Sequence, residues 1–181
     1  VAALKSGINQ GKLIVNFIGH GFARGWSAQK NPPNIFLIDT DVSGFTNEGK
    51  YPIFLAMTCN EGYFIDPAVE AFGEVVTRVE NKGAIASWSP TGEGVASGHD
   101  YLNRGFFETV FKNGANFLGE AITIGLTRLW FSGSSLYLLE TYELFGDPAL
   151  VISRTPAAVN DFYGTAEDFQ LIADTEDGVL K

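Results

Sequence analysis

The sequence contains a single cysteine, Cys59, so a disulfide cannot form within the chain. Cys59 is therefore either an inert buried residue or a thiol kept for its reactivity. Basic residues are also scarce: 12 Lys and Arg stand against 21 Asp and Glu, and the net charge of −9 repels nucleic acid and anionic membranes. No apolar run approaches the roughly 18 residues that a membrane-spanning helix needs. We expect neither nucleic acid nor a membrane as a partner.

Apolar residues make up 45% of the 181 positions, which is enough for one sizeable core. We therefore predict one domain over residues 1–155, followed by an acidic extension or linker over 156–181. The first residue is Val1 rather than Met, and we interpret the chain as a piece of a longer precursor.

Strands and helices alternate along the chain. Buried strands are indicated by three nearly continuous apolar stretches, LIVNFIGHG (13–21), YPIFLAMTC (51–59) and GAIASWSP (83–90). A short strand is predicted at Ile35–Ile38 and a last one over 149–154, and helices are predicted from Asp66, over 99–112 and over 116–133. This order predicts an α/β fold with a mostly parallel sheet flanked by helices.

His20 and Cys59 each stand at the carboxyl end of a predicted strand, where open parallel sheets carry their functional sites. If the two strands are neighbours, the imidazole and the thiol face one cleft. An imidazole can take the proton of a thiol and later return a proton to a leaving amine. Gly21 and Cys59 would supply backbone N–H groups for the oxyanion of an acyl-transfer reaction.

Other interpretations remain open at this point. A lone cysteine at a strand end is commonly a packing residue, and Gly-His-Gly is a common tripeptide. A metal site is a further alternative, although its candidate ligands lack the close spacing of known motifs; they are His20, Cys59, His99 and Asp66. For His99 we expect a capping or solvent-exposed role, and for Asp66 the cap of a helix.

Four ordered blocks resemble one known family. They are NFIGHG, TCNEGYF, AFGEVVTRVENKGAIASWSP and LFGDPALVI. Together they look like the C-terminal part of the catalytic domain of the gingipain family of cysteine peptidases, which are secreted bacterial enzymes with a caspase-like fold. The resemblance covers about residues 12–155.

The resemblance implies a cysteine endopeptidase that hydrolyses peptide bonds through an acyl-enzyme. Cys59 would be the nucleophile, His20 its acid and base partner, and the Gly21 and Cys59 amides the oxyanion hole. The implied substrate is a polypeptide with Arg or Lys at P1, and the implied location is outside a bacterium, secreted or on the cell surface.

Several side chains are candidates for substrate binding. Trp88 and Ser87 end the third strand, in a region that resembles one side of the family's S1 pocket. Trp26 would wall the substrate channel or be a half-buried loop aromatic. Glu93 would receive a basic P1 side chain or be an ordinary exposed loop acid.

The resemblance requires no cofactor and allows calcium as a structural ion. The candidate loop for calcium is DTDVSG (39–44), whose spacing falls short of an EF-hand loop. Gingipains orient the histidine and line much of S1 with residues upstream of the Gly-His-Gly block, and only 19 residues precede His20 here. We therefore expect an N-terminal half or a prodomain of the same precursor as a partner. The alternative is a catalytically weak gingipain-like domain that serves assembly or adhesion in a secreted multidomain protein.

Overall fold

A computed structural model describes residues 2–28 and 34–153, together with the backbone of 162–165. The helices are α1 (Ala2–Gln10), α2 (Asp39–Val42), α3 (Phe72–Arg78), α4 (Ala96–Phe107), α5 (Leu118–Ser132) and α6 (Leu138–Thr141). The strands are β1 (Ile14–Ile18), β2 (His20–Phe22), β3 (Gly25–Ser27), β4 (Ile35–Ile38), β5 (Ile53–Met57), β6 (Ala86–Pro90), β7 (Tyr142–Phe145) and β8 (Phe162–Thr165). A π-helical stretch, Glu108–Lys112, continues α4.

The central sheet has five strands in the order β7-β6-β5-β1-β8. All neighbours in it are parallel except β7, which runs antiparallel to β6 at one edge. A small antiparallel sheet, β2-β3-β4, follows the end of β1. The α/β fold with a mostly parallel sheet flanked by helices is therefore confirmed.

Two apolar layers cover the sheet, one on each face. Trp88, Leu102 and Phe106 belong to the layer formed with α4 and α5. Phe54 and Phe72 belong to the opposite layer, which α3 and the small sheet complete. Successive residues of a strand point to opposite faces, so strands covered on both sides consist of nearly continuous apolar residues, as the sequence indicated.

The helix expected from Asp66 begins later, at Phe72. The Asp66 carboxylate accepts the Ala68 N–H at 2.8 Å and so closes a local turn instead of capping a helix. Glu74 accepts the Ala71 N–H at 3.0 Å, which satisfies the backbone where the helix does begin.

The C-terminal part departs from the predicted order. In place of a strand over 149–154, Val151 forms one isolated antiparallel bridge to Phe117. The predicted extension over 156–181 lies outside the described residues except at 162–165, whose backbone pairs with β1. No helix among the described residues combines the length and apolar character needed to cross a bilayer.

Candidate active site

His20 and Cys59 leave the central sheet at adjacent positions. Their strands are parallel neighbours, and the register pairs Ile18 with Met57. His20 follows Ile18 by the same number of positions as Cys59 follows Met57. The Gly19 N–H donates to the Met57 carbonyl at 3.2 Å, which extends the pairing beyond the end of β1. The segments that bear the imidazole and the thiol are therefore neighbours.

Gly21 packs the histidine segment against the turn that carries Cys59. A Cβ at Gly21 would stand 2.7 Å from the Thr58 Cβ and 2.8 Å from the Cys59 carbonyl oxygen. Both distances are too short for a real side chain, so any larger residue would push the two segments apart. This close packing agrees with the strand register, which places the two segments side by side.

Cys59 stands at a sharp turn. The next residue, Asn60, has a φ of 58°, a left-handed conformation in which Asn is one of the few common residues besides glycine. A facing loop holds the turn: the Asn60 N–H donates to the Gly92 carbonyl at 2.8 Å, and the Gly94 N–H donates to the Cys59 sulfur at 3.2 Å. Cys59 is half-buried and His20 is exposed, so neither group is sealed within the core.

His99 lies beneath the loop that contains Gly94. It is only 6% exposed, which corrects the expectation of an exposed or capping histidine. A Cβ at Gly94 would stand 2.2 Å from the His99 Nε2, so the imidazole packs directly against this backbone. Within the described chain, Nε2 has no hydrogen bond of good geometry. Burial lowers the pKa of His99 to about 4, although the Thr58 backbone acts in the opposite direction. The ring is therefore neutral above that pH.

A buried carboxyl, Glu61, lies behind the Cys59 turn. The Trp26 indole N–H donates to its Oε2, and the Ser89 hydroxyl donates to its Oε1 at 3.3 Å. The Ser89 Oγ is in turn 2.6 Å from the Ser87 Oγ. Burial raises the pKa of Glu61 to about 7, because hydrogen bonds from Trp26 and the two serines offset only part of the lost hydration.

Three of the predicted substrate-binding residues lie in the core instead. Trp26, Trp88 and Ser87 are each 0% exposed. Trp26 stacks on Phe17 with ring centroids 4.6 Å apart, beneath the small sheet. Trp88 packs against Phe106 on the other face of the central sheet, at 6.1 Å between centroids. These side chains offer no surface to a substrate, because strand register turns each of them inward.

Glu93 is exposed in the loop between β6 and α4. It directly precedes Gly94, whose N–H contacts the Cys59 sulfur. This placement is compatible with a role in receiving a basic side chain, and that role stays a prediction.

The residues considered for metals do not form a metal centre. Among the described residues, no group of three or more His, Cys, Asp or Glu is arranged to hold a metal ion. In the candidate calcium loop, Asp39 pairs with Arg24 at 2.7 and 3.0 Å, and Asp41 pairs with Lys5 at 2.6 Å. Both carboxylates are therefore already paired with cations of the chain. Calcium as a structural ion stays a prediction.

Glu61, Gly94 and His99 are the residues near Cys59 whose placement sequence reasoning missed. The carboxyl of Glu61 stands in the TCNEGYF block itself, and Gly94 lies in a glycine-rich loop after a buried strand. Those sequence signals identify the segments near Cys59. They do not show whether a side chain or an N–H in each segment points into the protein or toward solvent. The inward turn of Glu61 depends on Trp26, a residue 35 positions away.

Comparison with known proteins places the chain in a family. The model of peptidase family C25 matches residues 1–153. Comparison with curated proteins finds no match. A solved complex of Porphyromonas gingivalis RgpB pro- and mature domains matches with a TM-score of 0.74 at 21% identity, over 83% of this chain and 36% of that chain.

Two further solved structures share the fold. The Arg-specific cysteine proteinase gingipain R (RgpB) matches with a TM-score of 0.70 at 23% identity, over 83% of this chain and 36% of that chain. A structure described as a protease matches with a TM-score of 0.73 at 21% identity, over 87% of this chain and 38% of that chain. These likenesses confirm the caspase-like fold of gingipains, and the chain spans little more than a third of each matched protein. Because the family model covers most of its residues, the chain belongs to peptidase family C25, the gingipain family of cysteine peptidases.

Proposed function

We propose that this chain is part of a cysteine endopeptidase in which Cys59 is the nucleophile and His20 the general acid and base. The observation that carries the proposal is the parallel pairing of β1 and β5, with Ile18 opposite Met57, because both reactive side chains then leave the sheet at one place. Membership of family C25 supports the same chemistry.

The first half of the reaction forms an acyl-enzyme. The Cys59 thiolate attacks the carbonyl carbon of the scissile peptide bond, and the carbonyl oxygen takes up negative charge. The Gly21 and Cys59 amides are proposed as donors to that oxygen. The intermediate then collapses, the C–N bond breaks, and the His20 imidazolium gives its proton to the leaving amine. In the second half, His20 takes a proton from water, which attacks the thioester and releases the new carboxyl end and the thiol.

The Gly94 N–H contributes to the same chemistry before substrate binds. It donates to the Cys59 sulfur at 3.2 Å. The loop around Gly94 would therefore help to fix the position of the sulfur for attack on a substrate carbonyl.

The proposed substrate is a polypeptide with a basic residue at P1. One of the matched structures is described as Arg-specific, and Glu93 is an exposed acid beside the Gly94 loop. Another matched structure joins pro- and mature domains, so we further propose that a different part of the same precursor assembles with this chain. A secreted or cell-surface location in a bacterium belongs to the same proposal.

Alkylation and peptide hydrolysis test the proposed pair directly. Because Cys59 is the only cysteine, the intact mass after iodoacetamide treatment reports on this thiol alone. We expect His20→Ala to slow labelling at neutral pH about 10-fold, since the thiolate loses its partner. Hydrolysis of fluorogenic peptides should stop in Cys59→Ala, and kcat/KM should fall by roughly 100-fold or more in His20→Ala.

Glu93→Gln tests the specificity, with Glu140→Gln as a matched exposed control. The first variant should lose hydrolysis of Arg and Lys peptides relative to Ala peptides, and the second should retain the ratio. If the folded protein cleaves no peptide and His20→Ala labels as fast as wild type, the peptidase proposal is wrong. That result would favour the catalytically weak domain that serves assembly or adhesion.

A further inference from the structure

Glu61 connects the two segments that carry the proposed dyad. It follows Cys59 closely in the chain, and its side chain turns away from solvent and is fully buried. Its Oε2 accepts the indole N–H of Trp26. Its backbone carbonyl accepts the Gly73 N–H at 3.2 Å, which anchors the Cys59 turn to the start of α3. One residue therefore contacts both the nucleophile turn and an aromatic side chain of a different element.

Trp26 belongs to the hairpin that begins with His20. In the antiparallel pairing of β2 with β3, Trp26 is opposite Gly21 and Ser27 is opposite His20. The indole stacks on Phe17 of β1, with an interplanar angle of 7°. The same ring packs against Phe54 and Phe72, with centroids 5.5 and 5.6 Å away, so a shift of the indole would displace the hairpin that carries it. A hydrogen bond that holds the indole consequently holds the histidine segment as well.

The second carboxylate oxygen is held from the central sheet. The Ser89 hydroxyl donates to Oε1, and Ser87 supports Ser89 from the same strand, β6. The Glu61 carboxylate thus accepts hydrogen bonds from the small sheet on one side and from the central sheet on the other. Its donors in the described part of the chain are an indole and hydroxyls, which carry no charge.

Space filling alone does not account for this carboxyl. Burying an ionisable group without a cation costs stability, whereas an apolar residue of similar size would avoid that cost. The Glu61 pKa of about 7 reflects the same burial. What the carboxyl provides is a hydrogen-bond acceptor with a fixed direction, placed where the two segments meet.

We propose that Glu61 is a positioning residue that sets the placement of His20 relative to Cys59 by holding the Trp26 indole. The inference rests on the proposed function, because it assumes that the relative placement of these two side chains governs the reaction. Glu61 has no exposed surface and does not touch substrate. Its effect passes through the β2-β3 hairpin and the Cys59 turn.

The decisive variant is Glu61→Met, which keeps the volume and removes the acceptor. We expect kcat to fall roughly 10- to 100-fold with KM nearly unchanged, because small misplacements of reacting groups have effects of this size. The variant should remain fully folded at pH 8, because relief from burying a carboxyl offsets the loss of the acceptor for the Trp26 N–H. A residue with only a structural role would lose activity in proportion to the unfolded fraction, so a fall in kcat of a fully folded variant distinguishes the two roles.

Two further variants test the link itself. Glu61→Gln still accepts from the indole and should keep kcat within about 3-fold of wild type. Trp26→Phe removes the N–H and should lower kcat like Glu61→Met, and the double variant should be no worse than either single one. Glu70→Met, at an exposed glutamate, is the matched control and should leave kcat unchanged.

Labelling of Cys59 separates the two proposals. If iodoacetamide labelling depends on His20 but Glu61→Met labels and turns over like wild type, the positioning role is overturned and the peptidase proposal survives. If labelling is independent of His20 in the wild-type protein, both are overturned. Support requires that Glu61→Met labels at the rate of His20→Ala and that combining the two slows labelling no further.

Discussion

Acidification is expected to destabilise the fold through His99, which is buried against the Gly94 backbone in its neutral form. The folded-state pKa of His99 is about 4, below the ordinary value of 6.5. At a pH between these two values, the imidazole is protonated in the unfolded chain and neutral in the folded chain. The contribution of His99 to the free energy of unfolding is fully present at a pH above its ordinary pKa. This contribution is lost as the pH falls toward the folded-state pKa, at about 1.4 kcal/mol per pH unit. The total loss is about 3 kcal/mol, and the part between pH 7 and pH 5 is about 2 kcal/mol.

The comparison with His99→Gln isolates this effect. The variant lacks the titrating group, whereas Glu61 and the other acids are common to both proteins and cancel in the difference. Urea unfolding of both proteins at pH 7, 6 and 5 gives the free energies of unfolding by linear extrapolation. We expect the stability of wild type relative to the variant to fall by about 2 kcal/mol over this range. Parallel curves would refute the reasoning, and His99→Asn provides the same comparison if the glutamine variant does not fold.

The remaining predictions concern packing. Gly21→Ala should lower the free energy of unfolding by about 1–3 kcal/mol and reduce peptide hydrolysis at least about 10-fold, because the new methyl group meets the Cys59 turn. Urea unfolding and kcat/KM measure the two effects, and Gly44→Ala, whose Cβ would meet only a carbonyl at 3.4 Å, is the control. Phe106→Ala should cost about 3–5 kcal/mol in urea unfolding. Phe131→Ala, at a side chain 81% exposed, should change stability by less than about 0.5 kcal/mol, and equal effects of the two would contradict the assigned core.

Apolar patterning predicted most of the regular elements. The strands β1 and β5 lie within the stretches 13–21 and 51–59, and β4 has the predicted limits Ile35–Ile38. The helix predicted over 116–133 agrees with α5 to within two residues at either end. These predictions succeed because a run of apolar residues, or its period, reports directly on which faces of a segment are buried.

The partners and the burial of individual side chains were much less predictable. The turn at Asp66 replaced a helix start, because its carboxylate found a partner in the local backbone. Trp26 and Trp88 were expected near substrate and lie in opposite apolar layers. Each outcome depends on which groups a neighbouring segment places beside the residue. The local sequence pattern does not contain that information.

By itself, the sequence determined the family, the alternation of strands and helices, and the positions of a histidine and a cysteine at strand ends. Only the tertiary structure decided that Glu61 and His99 are buried beside the Cys59 turn and that the Gly94 N–H meets the sulfur. Burial and hydrogen bonding depend on both partners, and here the partners are far apart in the chain: 35 positions separate Trp26 from Glu61, and Cys59 from Gly94. Their protonation follows from that packing, because the loss of water around a titratable group sets its pKa.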